Sequence, residues 1–486
     1  MSDDRKNVLL ISVDQWSANL MGCAGHQVVM TPTLDQLAAD GIRFTNCYST
    51  CPVCIPARRS IMTGMTPASH GDRVYSDKME MPNVATLAKT FGDNGYQTVA
   101  VGKLHVYPQR NRIGFDEVIL QEEGRYEFGN VDDYQIWLGE QGCVGTEFMH
   151  CMGNNSYYTR PWHLPEHMHP TIWATREMAK QIKRKDPTRP AFFYTSYQFP
   201  HPPLVPLQAY LDMYSDSEID LPMGNDADWI NHDVIIQLLS EQSIPYTSKD
   251  ILKARKAYYA QCTLIDHQIR ILIGTLRECS LLDNTVIVFI ADHGDMLFDH
   301  GIVGKRTFYE GSAKVPLIIS GKAVSKWRGT VSDKMACLED IMPTLLDFCG
   351  IEIPDTVEGI PLLTEKRRDL LYGEIGEGIK ATRMVTDGSV KLIYYPCGNV
   401  FQLFDLKNDP NENHNLYGDK DYKEITAVFV QYMMEHLHGD DLKWIAAGKL
   451  TGMEAPIYKT SPDYELYNQR GWHWPAPQGY MNAGKT

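Results

Sequence analysis

The sequence predicts an α/β protein in which a large, mostly parallel central sheet is flanked by helices and followed by a small C-terminal antiparallel-sheet subdomain. Three observations carry this. Continuously apolar runs rich in Val, Ile, Leu and Phe alternate with segments of helical periodicity through most of the chain. Charged and polar residues follow directly on several of those runs. Beyond about residue 365 the runs become short and closely spaced, joined by turns such as Asp387-Gly388.

Taken in order, Asn7 to Val13 is the first strand, and its unbroken apolarity marks a strand covered on both faces. Thr33 is placed to cap a helix over Leu34 to Ala39, closed by Gly41. Pro82-Asn83 precedes a helical pattern from Val84 to Asn94, with Gly95 after it. Gln97 to Val101 and Ala191 to Tyr197 read as strands. Lys253 to Glu278 is the longest helical pattern, and Thr285 to Ala291 and Val315 to Ser320 are further strands. Leu370 to Ile375, Ala381 to Thr386, Val390 to Tyr395 and Phe401 to Leu406 form an antiparallel meander, followed by a helix over Lys423 to His436. The final stretch, with Trp472, Trp474, Pro475, Pro477 and Tyr480, reads as an extended arm. The expected organisation is a large domain over 1–365, a small subdomain over 366–440 and an arm over 441–486. The arm is expected to support a homo-oligomer.

Composition narrows the function. The 486 residues include 46 Lys+Arg and 61 Asp+Glu, a net charge of −15. That balance argues against nucleic acid or an anionic membrane as partner, though not against a small anion in a local basic pocket. The 11 cysteines are odd in number and scattered, which fits a reducing compartment better than a disulfide framework. The N-terminus shows no apolar signal region, and no stretch of about 18 apolar residues is present. A cytoplasmic enzyme is the expectation.

Ligands of open α/β sheets bind beyond the carboxyl ends of the strands. There the sequence offers Asp14-Gln15, then Gly102-Lys103-Leu104-His105, then Pro200-His201-Pro202, and Asp292-His293-Gly294-Asp295. Four strands each deliver charged or metal-binding side chains to one edge. Asp14, Gln15, Asp292 and His293 make an oxygen-rich set that suits a hard divalent cation: Ca²⁺, Mg²⁺ or Mn²⁺. An ordinary polar network at the sheet edge accounts for the same residues. Asp295, Asp299 and His300 follow that segment and are open to a part in the site, with a turn and cap role an equal reading.

The second focus is Cys51 to Gly64, CPVCIPARRSIMTG, which enters a helix at Cys54 with Arg58 four residues on. A helix N-terminus and a guanidinium both favour anions. Cys51 and Cys54 form a C-x-x-C, open to a redox pair or half a zinc site, but no second such pair exists. Cys54 as an unmodified nucleophile or a buried structural thiol is the other reading from chemistry alone.

The run Cys54, Pro56, Arg58, followed by Ser60 and Thr63-Gly64, resembles the signature of the type I sulfatases, in which this cysteine is oxidised to formylglycine. The resemblance extends to Val8–Asp14, to Thr31–Ala38 with Gly41–Thr45, to Gly102-Lys103-Leu104-His105, and to Ala291–Gly294 with Gly304-Lys305. It continues through Leu403–Leu406, Asp409–Glu412 and Asn415-Leu416. It implies an alkaline phosphatase-like sandwich and one divalent cation, Ca²⁺ first, held by Asp14, Gln15, residue 54, Asp292 and His293. It implies hydrolysis of small sulfate esters by the hydrate of a formylglycine at position 54, and a separate maturation enzyme. Arg58 would hold the hydrate and His105 would act in its elimination step. Lys103, His201 and Lys305 would grip sulfate and leaving-group oxygens, with His201 or Lys305 as general acid.

The chain also departs from the common family pattern. Gln15 stands where a second aspartate is frequent, and His293 where asparagine is frequent. This lower-charge set resembles phosphonate monoester hydrolase-like branches, so phosphonate or phosphodiester hydrolysis is the alternative activity. Tyr75 stands where asparagine is common, and Ala57 where serine is. A non-catalytic binding protein and a thiol-redox module are disfavoured, because the whole catalytic set is present.

Overall fold

The computed structural model describes residues 5–123, 131–230, 232, 235 and 246–455. Its centre is an eight-stranded sheet. The strands are β1 (Asn7–Asp14), β2 (Ile42–Tyr48), β3 (Gln97–Gly102), β4 (Glu117–Leu120), β5 (Ala191–Pro200), β6 (Thr285–Ala291), β7 (Leu317–Ser320) and β8 (Thr330–Cys337), in the order β4-β3-β5-β1-β6-β7-β2-β8. Strand β7 runs antiparallel to both neighbours, and the other pairings are parallel. Every residue of β1, β5 and β6 is buried, as their unbroken apolarity requires.

Helices cover both faces. They include α1 (Pro32–Ala39), α2 (Cys54–Thr63), α3 (Leu87–Asp93), α4 (Pro170–Lys183), α5 (Ser248–Glu278) and α6 (Ile341–Phe348). Three starts differ from the sequence expectation. Helix α1 begins at Pro32, so Thr33 lies inside it. Its first amides are satisfied by a distant side chain, the Asp266 carboxylate on α5, which accepts from Thr33 N at 3.0 Å and Leu34 N at 2.8 Å. Helix α3 begins at Leu87, because Thr86 caps it by accepting from Lys89 N. Helix α5 begins five residues early, at Ser248, set by a Thr247/Asp250 capping box.

A four-stranded antiparallel sheet follows, ordered β12-β11-β10-β9, from β9 (Leu371–Ile375), β10 (Thr382–Thr386), β11 (Val390–Tyr395) and β12 (Val400–Asp405). One face packs Ile375, Met384, Ile393 and Phe404 with Tyr48, Val53, Phe308 and Tyr309 of the larger layer. The other packs Val385, Leu392 and Leu403 under α7 (Lys423–His436), against Phe429 and Met433. Residues 441–455 join this second core through Trp444 and Leu450, in a turn and a short hairpin. The remainder of the expected arm, 456–486 with its tryptophans, lies outside the described residues.

Candidate active site

Strand register assembles the site. In the parallel pair β1–β6, Val13 lies opposite Ala291, so the next residues, Asp14 and Asp292, emerge side by side. On the other side of β1, Asp14 pairs with Pro200, which places His201 at the same edge. Strand β3 pairs Gly102 with Ser196, and Lys103 N donates to Ser196 O at 2.9 Å. Two motif glycines are fixed by space. A Cβ on Gly102 would overlap the Ser196 carbonyl oxygen, and one on Gly294 would overlap that of Gly311. Gln15 leaves β1 with φ 68, a left-handed conformation costly for a non-glycine, held by its amide donating to Asp292 Oδ1 at 3.1 Å.

Cys54 is the first residue of α2 and is buried. Its Sγ lies 3.1 Å from His293 Nε2 and 3.8 Å from Asp14 Oδ1. Asp14, Cys54, Asp292 and His293 each offer one ligand atom, all within 4.8 Å of one another. His293 Nδ1 lies 3.0 Å from Gly294 O, an acceptor, so Nδ1 carries the proton and Nε2 presents its lone pair to the cluster. Two carboxylates, an imidazole nitrogen and residue 54 are donors that fit a divalent cation.

Cations surround this cluster. Arg58 braces both carboxylates, with Nε to Asp292 Oδ2 at 2.9 Å and Nη2 to Asp14 Oδ2 at 3.1 Å. Its Nη1 donates to Lys103 O and Ser196 Oγ. Lys103, wholly buried, reaches Asp14 Oδ2 at 2.7 Å and Glu123 Oε1 at 2.6 Å. Burial disfavours its charge, but Asp14 and Glu123 outweigh burial and hold it protonated. Burial likewise raises the Asp14 carboxyl, and Lys103, His201 and Arg58 then bring it well below the usual range. The Cys54 thiol is also lowered: burial and Asp14 oppose ionisation, and Lys305, His293 and Lys103 prevail.

Lys305 Nζ sits 2.6 Å from Gln15 Oε1 and 2.6 Å from His201 Nε2. His201 is buried, and burial together with Lys305 pushes its pKa down to about 3. Its Nδ1 faces the carbonyl of Pro202, so Nε2 is the acceptor for the lysine. His105, with φ 58, has its backbone N–H held by the Glu122 carboxylate, and its ring meets Tyr75 edge-on with Nε2 3.4 Å from the phenol. Arg306 lies over the Tyr75 ring, 5.6 Å from its centre.

All ten residues expected from the sequence therefore stand at one sheet edge, nine of them linked by the contacts above, while His105 lies two residues beyond Lys103 with its ring against Tyr75. Gln15 stands apart from the four-atom cluster, its carbonyl turned to Lys305. Sequence reasoning missed Glu123 and Tyr157 and did not decide the role of Asp295. Glu123 follows the carboxyl end of β4, so recognising that short strand would have flagged it. Asp295 fills both of its readings: it accepts from Leu297 N and Gly304 N, and it also binds Gln15. Tyr157 carries no local signal.

Residues 6–351 match the Sulfatase family model, and 298–438 match that of the N-sulphoglucosamine sulphohydrolase C-terminal region. An arylsulfatase of Clostridium perfringens is 36% identical over 469 residues, covering 92% of this chain and 97% of the relative. A choline-sulfatase of Rhizobium meliloti is 29% identical over 455 residues, covering 88% and 86%. Among solved structures, the phosphonate monoester hydrolase of Agrobacterium radiobacter superposes with a TM-score of 0.75 at 23% identity, over 89% of this chain and 95% of that one. It shares the alkaline phosphatase-like fold. A family model spanning most of the chain and a relative similar along nearly its whole length establish that this chain belongs to the sulfatase family of hydrolases.

Proposed function

We propose that the protein hydrolyses sulfate monoesters of small organic molecules, with formylglycine made from Cys54 by a maturation enzyme and with one divalent cation, Ca²⁺ foremost. The observation that carries this is the placement of Cys54 Sγ among Asp14, Asp292 and His293, with Lys103, His201 and Lys305 beside it. Asp14, Gln15, residue 54, Asp292 and His293 would hold the cation, which supplies Lewis-acid polarisation and an acidified hydroxyl. Hydrated formylglycine at position 54 would supply one hydroxyl to attack sulfur as the alcohol leaves, and a second whose deprotonation would expel sulfate by C–O cleavage and restore the aldehyde, a route that a serine or cysteine ester lacks.

The chain's own residues do the rest. Lys103 and Lys305 bring positive charge to the ester oxygens, and a unit pair at 4 Å is worth about 4 kcal/mol at an effective dielectric of 20. The local field therefore outweighs the distant net charge of −15. His201 Nε2 accepts from Lys305 Nζ, which orients the lysine and favours Lys305 over His201 as the proton donor to the departing oxygen. Arg58 fixes the two carboxylates. His105, its backbone held by Glu122 and its ring against Tyr75, is the candidate to take the hydroxyl proton in the release step. The 11 free cysteines support a cytoplasmic setting.

Phosphonate monoester or phosphodiester hydrolysis is the second reading. It is favoured by the donor set itself, since Gln15 and His293 leave Asp14 and Asp292 as the only formally negative side chains among the expected protein ligands. Kinetics of the matured protein on 4-nitrophenyl sulfate and 4-nitrophenyl phenylphosphonate separate the two. The sulfatase reading expects the larger kcat/KM on the sulfate; a clear preference for the phosphonate would replace it.

A further inference from the structure

Gln15 is an amide at a position where a carboxylate would need no orientation. An amide presents oxygen to a cation at one end and an N–H₂ group at the other, so it serves as a ligand in only one of its two flips. The surroundings of Gln15 specify that flip. Its Nε2 donates to Asp295 Oδ2 at 2.7 Å and to Tyr157 Oη at 2.9 Å, and the Tyr157 hydroxyl donates to the same Asp295 oxygen at 2.7 Å. Both Nε2 hydrogens are thereby used, and Oε1 is left facing Lys305.

Asp295 cannot turn away. Its other oxygen, Oδ1, accepts from Leu297 N at 2.8 Å and from Gly304 N at 3.0 Å, the latter in the residue before Lys305. Tyr157 is buried edge-on against Phe298, with ring centres 5.5 Å apart. One carboxylate thus ties the end of β1 to the chain segment that carries Lys305.

We propose that Asp295 and Tyr157 are positioning residues that hold the Gln15 amide with its oxygen toward the bound cation, and that Asp295 also sets the backbone beside Lys305. This rests on the reading of Gln15 as a metal ligand. The chemistry makes a specific demand. In Asp295→Asn, the two backbone donors keep the new amide oxygen at the Oδ1 end, so the new N–H₂ group faces the Gln15 N–H₂ group. Gln15 must flip, and its donor end then points at the cation. Glutamate at position 15 would instead accept from that new N–H₂ group with one oxygen and keep the other on the site, whereas Gln15→Glu beside an intact Asp295 sets two buried carboxylates against each other.

The test is Ca²⁺ titration calorimetry on chelator-stripped, full-length protein, with folding verified by circular dichroism. Wild type should bind Ca²⁺, and Gln15→Ala should weaken binding. Asp295→Asn should weaken it about 10–100-fold, the usual cost of losing a hydrogen-bond partner behind a metal ligand. Tyr157→Phe should weaken it several-fold, and provides the readout if Asp295→Asn does not fold. The double variant Gln15→Glu with Asp295→Asn should bind at least as tightly as wild type. A purely structural role for Asp295 predicts no such rescue. If Gln15→Ala leaves Ca²⁺ affinity unchanged, the ligand reading itself falls. If Gln15→Ala weakens binding but folded Asp295→Asn does not, or the double variant is no better than Asp295→Asn, the positioning proposal alone is overturned.

Discussion

Cys54 Sγ lies 3.1 Å from His293 Nε2, two side chains 239 residues apart in sequence. One is the first residue of the helix that follows β2 and the other follows the central strand β6. Under the proposed function, the reactive position is built onto the candidate metal-ligand cluster and not merely near it.

The first prediction follows from that contact. Cys54→Ala should retain the fold, since it removes one small buried atom, yet should lose activity by about 10⁴-fold or more, as removal of a covalent nucleophile does elsewhere. Thermal melting and steady-state assays on an aryl sulfate measure the two effects separately.

Lys305 and Lys103 should be distinguishable. If Lys305 protonates the leaving oxygen, Lys305→Ala should cost about 10²–10³ in kcat/KM on esters of weakly acidic phenols. The loss should shrink for 4-nitrophenol, which departs without help. Lys103→Ala should cost a similar amount irrespective of phenol acidity. A series of aryl sulfates with graded leaving-group pKa reads this directly.

Removing the cation should abolish turnover and lower the melting temperature, because the paired carboxylates Asp14 and Asp292 then lose a compensating charge beyond that of Arg58 and Lys103. Dialysis against a chelator followed by Ca²⁺ addition should restore both. Elemental analysis should find about one ion per chain in active protein.

Glu147 gives a pH signature in stability. It is buried 12 residues from its amide partner Gln135, and burial with Asp132 pushes its pKa up to about 8 from 4.5. The native state keeps a proton that the unfolded chain releases above about pH 4.5, so stability falls as pH rises from there to about 8. The loss is on the order of a few kcal/mol at about 1.4 kcal/mol per pH unit. Glu147→Gln should therefore raise the melting temperature by a few degrees at pH 8.5 and change little at pH 4.5, by scanning calorimetry.

Asp266 caps α1 from a different helix. Asp266→Ala should lower stability by about 1–2 kcal/mol, the usual value of an N-cap, without changing kcat. Denaturant unfolding monitored beside activity checks it.

The central strands were legible because burial on both faces leaves an unbroken apolar run, as in Val8–Val13 and Val286–Ala291. Of the strands not recognised by pattern, β4 and β8 are the two edges of the sheet, where exposed Glu117 and Asp333 interrupt the run, and in β2, placed only through the family resemblance, half-buried Arg43 and Thr45 alternate with Ile42 and Phe44. The site followed the same logic. Residues directly after a strand, such as Asp14, Lys103, His201 and Asp292, could be read from position and motif. Tyr157 and Asp295 act through contacts spanning 138 and 280 residues, which no local pattern encodes, and Glu123 was missed together with the short edge strand it follows. The cap on α1 was misplaced for the same reason, since Asp266 lies 232 residues from Leu34.

The account stands on the chemical state of residue 54. Protein coexpressed with a formylglycine-generating enzyme should be digested and the Cys54 peptide weighed, with sulfatase activity measured on the same sample. The peptide should appear about 18 Da lighter than the cysteine form, or as its hydrate, and activity should rise in proportion to the converted fraction. Full activity in protein whose Cys54 remains an unmodified thiol would contradict it.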